Sequence, residues 1–222
     1  SSDVCSPDLL VISFTTTKTQ KNKIKENINE TTINIGDCEN KLKNYYNISN
    51  ESELYILKVE IEQKWMNIPK VEYEVYYPLN NSKMEQLNLS ICENNKIELS
   101  IPVNITDNIE KYNPKSDYYN SICSKDTTAN GTDITLNDRR NEFIDNNMSL
   151  CEDNCTFIEY DNENKKAKCE CKIKLFIRMN RECYDIIKIF FITVDEGRTG
   201  FCCIFRTSAH CKPGMSLIIG NF

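Results

Sequence analysis

Twelve cysteines constrain this chain more than any other feature. They stand at Cys5, Cys38, Cys92, Cys123, Cys151, Cys155, Cys169, Cys171, Cys183, Cys202, Cys203 and Cys211. A reducing compartment keeps thiols free, so zinc ligation is the alternative to disulfide bonding. The tightest cluster, Cys151 to Cys171, runs C-x3-C, thirteen residues, then C-x-C. A structural zinc knuckle carries C-x2-C pairs at both ends, and this spacing departs from that. The cysteines therefore read as a disulfide framework in an oxidising compartment. The favoured pairings are Cys38 with Cys92, and bonds within the set Cys123, Cys151, Cys155, Cys169 and Cys171. The vicinal Cys202 and Cys203 are expected to pair elsewhere, and no C-x-x-C redox motif is present.

A second signal needs the same compartment. N-x-[ST] acceptors occur at Asn29, Asn47, Asn50, Asn80, Asn88, Asn104, Asn130, Asn147 and Asn154. Chance would place roughly four in a chain with this much Asn, Ser and Thr, so nine is an excess. Disulfides and N-linked glycans together imply a secreted or cell-surface location. Asn154 is the weakest acceptor, because Cys155 beside it is a disulfide candidate. No cofactor is expected, and N-linked glycans are the expected covalent addition.

Composition changes near Cys171. Residues 1–171 hold 19 basic and 29 acidic residues and every acceptor, whereas 172–222 hold 8 basic and 4 acidic. The sequence thus divides into a glycosylated disulfide-rich domain, 1–171, and a basic, sugar-free tail or small subdomain, 172–222. The charge contrast favours docking of the tail on an acidic neighbour, another copy included. No apolar leader opens the chain, so any signal peptide is taken to have been removed. The longest apolar run, Tyr184 to Val194, is broken by Asp185 and Lys188. It reads as a buried strand or short helix rather than a membrane span.

Period-two alternation dominates residues 1–171. Leu57, Val59 and Ile61 alternate with Lys58, Glu60 and Glu62, which places the apolar set toward the core. The same pattern marks Val71–Tyr77, Leu87–Ile91 and Ile97–Val103. Leu9–Thr17 reads as a further strand, with its own sheet as the favoured partner. Its four threonines (Thr15, Thr16, Thr17 and Thr19) mark either an edge strand or O-glycan sites. Gln20–Asn27 reads as a polar linker. A hairpin is expected to pair Thr156–Tyr160 with Ala167–Lys172, bringing Cys155 near Cys171. Two short helices are predicted, one capped by Asp37 and one after Thr135. The fold class is mainly β: an antiparallel, disulfide-bonded, sandwich-like domain with one or two short helices.

Several long strings carry a resemblance. DCENKLKNYYNIS, LYILK, IPKVEYEVYYPLN, LNLSICENNKIELSIPV, YYNSIC, GTDITLNDRRNEF, CEDNC and KAKCECKIK, within residues 37–174, resemble a cysteine-rich ectodomain module of predicted protist surface membrane proteins. The resemblance implies an extracellular module next to a membrane-anchoring region, and it implies no activity, ligand or catalytic residue. It ends after Lys174.

No catalytic or metal-binding residue is predicted. His210 is the single histidine and lies in a turn-like TSAHCKPG segment, so His-based catalysis or metal ligation is disfavoured. The acidic residues mostly alternate with apolar ones, as a solvated strand face does, although a carboxylate pair for glycoside hydrolysis stays open. Asp161–Lys166 lacks the Gly and terminal Glu of an EF-hand loop and reads as a turn. A net charge of −6 without a basic aromatic patch argues against nucleic acid. The expected function is non-enzymatic: an extracellular structural or adhesion glycoprotein, the protomer of a surface coat or filament. Its expected partners are other copies of itself or other surface proteins. The alternatives are a secreted module binding carbohydrate or protein, and a carboxylate-based secreted hydrolase.

Overall fold

The computed structural model describes residues 10–63, 67–79, 83–128, 130–173, 188–194 and 198–204, the last two spans by backbone alone. Two four-stranded antiparallel sheets form its body. The first has the order β1–β3–β4–β5, from Leu10–Thr16, Tyr55–Ile61, Lys70–Leu79 and Lys83–Gln86. The second has the order β2–β6–β8–β7, from Thr32–Asn34, Lys96–Pro102, Lys166–Lys172 and Cys155–Asp161. A separate two-stranded hairpin joins β9 (Lys188–Val194) to β10 (Arg198–Ile204).

One core unites the two four-stranded sheets. Ile56, Val71, Tyr73 and Val75 of the first sheet cluster with Ile33, Ile97, Leu99 and Ile101 of the second. That is the face-to-face packing of an antiparallel sandwich, and the alternation in β4 and β6 produces it. Helix α2 (Asp37–Tyr45) adds the buried Leu42 and Cys38. Its N-cap is Gly36 at φ 53°, not the predicted Asp37, which lies in the first turn. A left-handed φ suits glycine there.

Three further helices complete the described part: α1 (Thr17–Lys25), α3 (Asp117–Asn120) and α4 (Leu136–Asp145). As predicted, Thr135 caps α4, its hydroxyl accepting from Asp138 N at 3.2 Å. Helix α1 occupies the stretch read as a polar linker. Thr16 caps it, Lys23 and Lys25 complement its C-terminal dipole, and Gln20 anchors it. The Gln20 amide donates to Thr15 Oγ1 at 2.7 Å and accepts from Ile33 N at 3.0 Å.

The structure corrects two strand readings. Leu89–Cys92 is a 3-10 turn, capped by the Asn88 side chain accepting from Ser90 N at 2.9 Å. In β3 the face is inverted. Ile56, Lys58 and Glu60 share the inner face, and Tyr55, Leu57, Val59 and Ile61 look outward. Lys58 is only 3% exposed and is satisfied there by the Thr31 carbonyl and by Glu60, 2.6 Å away. The outward set joins Ile12 and Phe14 in a second apolar cluster, with Tyr76 and Met84 packed against it.

Candidate functional site

The residues singled out by sequence are the cysteines and the glycan acceptors. Three disulfides form among the described residues: Cys38–Cys92, Cys151–Cys169 and Cys155–Cys171. The first ties α2 to the 3-10 turn before β6. The other two tie the segment leading into β7 onto β8, where Cys155 faces Cys171 in register. Cys123 is exposed and has no disulfide partner among the described residues, although it belonged to the set expected to pair internally. Cys5, Cys183 and Cys211, and the side chains of Cys202 and Cys203, lie outside the described residues, as does His210.

The acceptors gather at turns and element ends. Asn29, Asn47, Asn50, Asn88, Asn104, Asn130 and Asn154 are exposed, whereas Asn147 is half-buried and Asn80 lies outside the described residues. Asn47 and Asn147 follow α2 and α4 with φ of 54° and 47°. Asn88 uses only its Oδ1 as a cap, and a glycan would attach through Nδ2, so the two roles are compatible. Thr15 and Thr17 are buried and Thr16 caps α1, so this stretch serves as edge strand and helix start.

Two clefts carry charged side chains. The first, about 600 Å³, opens between β1 and the α1–β2 connection. Lys58–Glu60 and Lys23–Glu30 pair within it, each at 2.6 Å, and Thr31 Oγ1 donates to Glu60 at 2.6 Å. The Lys23 hydrogen bond holds Glu30 below the usual carboxylate range despite partial burial. Glu30 is therefore an ionised, neutralised group and not a proton donor at neutral pH.

The second cleft, about 520 Å³, is more polar. Tyr118 OH sits 2.8 Å from Asp126 Oδ2 and 3.1 Å from Glu142 Oε2. Burial, then these carboxylates, pushes its phenol well above the ordinary value. Lys111 Nζ, 2.9 Å from Asp126, holds that carboxyl below its usual range, with Tyr118 assisting. Arg139 and Arg140 donate to the carbonyls of Tyr118 and Tyr119 at 2.7 and 3.0 Å, closing the C-terminal end of α3. These contacts make a polar knot that fastens α3 to α4. Sequence reading missed both clefts, because they join positions far apart in the chain through lysines and carboxylates that alternate like surface residues.

Among the described residues no three His, Cys, Asp or Glu side chains are grouped to hold a metal ion. No helix there is long and apolar enough to cross a membrane. Comparison with protein-family models, curated proteins and solved structures finds no match to this chain.

Proposed function

We propose that this chain is a non-enzymatic extracellular glycoprotein with a structural or adhesive role, the protomer of a surface coat or filament. The observation that carries the reading is the arrangement of its acceptors. Among the described residues seven acceptor asparagines are exposed on a sandwich stapled by three disulfides, and none of the seven lies within a strand of either four-stranded sheet. Glycans at such points shield loops from proteases and leave the sheets free for contact. The disulfides favour the same oxidising, secreted setting. Residues 37–174 would then be an ectodomain module of the protist surface type, and the basic, sugar-free residues 172–222 would mediate self-association or contact with other surface proteins.

Intact mass of native material, before and after deglycosylation and reduction, tests the compartment. A mass loss on deglycosylation and few free thiols support it; no mass loss and twelve free thiols refute it. Electron microscopy of the same material tests assembly, with ordered polymers expected and strictly monomeric protein at high concentration counting against it.

A second reading, a secreted module for carbohydrate or protein ligands, draws on the 600 Å³ cleft beside β1. Its volume lies within the range of small-ligand sites. Saturable binding on a glycan or protein array, lost on Lys23→Ala, would favour that reading over the structural one.

A further inference from the structure

One sugar acceptor differs from the others in its surroundings. Of the eight described acceptors, Asn29 alone lines either of the two clefts, the one of about 600 Å³ beside β1. Asn29 is itself exposed. The connection that carries it is held firmly. Glu30 N donates to the Ile28 carbonyl at 2.7 Å, which makes a three-residue turn centred on Asn29. The buried Lys166 and Lys58 donate to the carbonyls of Ile28 and Thr31, on either side of that turn. Lys23 holds Glu30 at 2.6 Å. Burying ammonium groups is costly, and here two of them fix the short connection that presents Asn29.

We infer that the glycan on Asn29 folds back into this cleft, which holds the two innermost N-acetylglucosamine residues of a sugar the chain itself carries. The inference rests on the extracellular glycoprotein reading above and names the occupant of the cleft. The cleft volume suits a drug-sized ligand, a class that includes a disaccharide. The lining chemistry matches as well. Half-buried Val11, Pro69 and Pro102 offer apolar surface to the C–H face of a pyranose ring and to an acetyl methyl. An ammonium has three donors and a carboxylate several acceptor sites, so the Lys23–Glu30 and Lys58–Glu60 pairs keep capacity for hydroxyls and an acetamide. Attachment at Asn29 makes docking intramolecular, so even a weak fit is occupied. The order of events agrees. Thr31, the hydroxyl residue of this acceptor, is buried and donates to Glu60 at 2.6 Å in the folded chain. Sugar transfer needs that hydroxyl accessible, so the glycan is added before the cleft closes around it.

The test uses the full-length chain secreted from a glycosylating host, in which glycopeptide mapping should find Asn29 modified. A glycan amidase that recognises the two innermost sugars should release the Asn29 glycan from the folded chain about tenfold more slowly than the Asn104 glycan, the ratio that millimolar tethering gives a cleft of about 0.1 mM affinity. The difference should vanish once the chain is reduced and unfolded. With the sugars carbon-13-labelled at their acetyl methyls, nuclear Overhauser contacts should reach Val11, Pro69 or Pro102. Those contacts should disappear in Asn29→Gln, whose folding a thermal melt confirms. Equal release rates on the folded chain overturn the inference, and so does slow release without contacts to those three residues. Saturable array binding by chain fully modified at Asn29, lost on Lys23→Ala, also overturns it, because the cleft would then be open. Asn29 unmodified while other acceptors carry sugar refutes the docked glycan and leaves the functional reading intact. A secreted chain with no sugar at any acceptor refutes both.

Discussion

Removing the Cys38–Cys92 bond should cost more stability than removing either of the other two described disulfides. Its cysteines are 54 residues apart, against 18 for Cys151–Cys169 and 16 for Cys155–Cys171. In the chain-entropy picture, closing the longest loop constrains the unfolded state by about 4 kcal/mol. The hairpin bonds interleave, Cys151 to Cys169 and Cys155 to Cys171, so with one in place the other closes a ring of only about six residues and contributes about 2 kcal/mol. The Cys38→Ala/Cys92→Ala double variant should therefore lower the melting temperature by roughly 8–16 °C, at about 2–4 °C per kcal/mol for this chain length. Cys155→Ala/Cys171→Ala should lower it by about half as much. Both cysteines of the long loop are fully buried, so a small cavity penalty adds to the first figure. Differential scanning calorimetry or urea unfolding monitored by tyrosine fluorescence measures the two losses. Equal losses, or a larger loss at the hairpin, would refute the loop-length argument.

Three further outcomes are expected. Burial pushes the Glu39 carboxyl up, but hydrogen bonds from Lys21, Lys43 and Thr17 outweigh it and leave it below its unfolded value. Its stabilising contribution is thus present above the unfolded carboxylate value and is lost as pH falls through the lower folded one; Glu39→Gln should flatten the acid limb of a stability–pH curve and cost about 3–5 kcal/mol at pH 7. Thr135→Ala should remove the α4 cap for about 1 kcal/mol in urea unfolding, and a loss near zero would mean that the polar knot, not the cap, holds that helix. Glycopeptide mapping should find the lowest occupancy of the eight described acceptors at half-buried Asn147; occupancy there equal to that of exposed Asn104 would contradict the link between burial and modification.

Much of the sandwich was legible because alternation and turn chemistry agreed. Strands β1, β4 and β6 and the β7–β8 hairpin lie where the period-two pattern puts them, and Thr135 caps α4. The misreadings of β3 and α1 share a physical cause, namely polar groups buried with partners. Alternation in β3 cannot say which face is the core when Lys58 finds Glu60 and the Thr31 carbonyl inside and Leu57 finds Phe14 outside. Helix α1 has no apolar stripe to announce it, since Gln20 anchors it by hydrogen bonds. At Leu87–Ile91 the L-x-L-x-I spacing mimics a strand. The 3-10 turn instead buries Leu89 and Cys92, three residues apart, on one side. The clefts were illegible because each joins segments that only the folded topology brings together.

The covalent ties have a mechanical consequence for the chain under tension. Cys38–Cys92 removes a 54-residue stretch from the path along which force travels through the chain. At about 3.3–3.6 Å per extended residue, that hides roughly 180 Å of contour length while the bond is intact. Forced unfolding of an oxidised copy would therefore lengthen it far less than that of a reduced one. The redox state of a single buried bond would then set how far the chain can stretch before its core gives way.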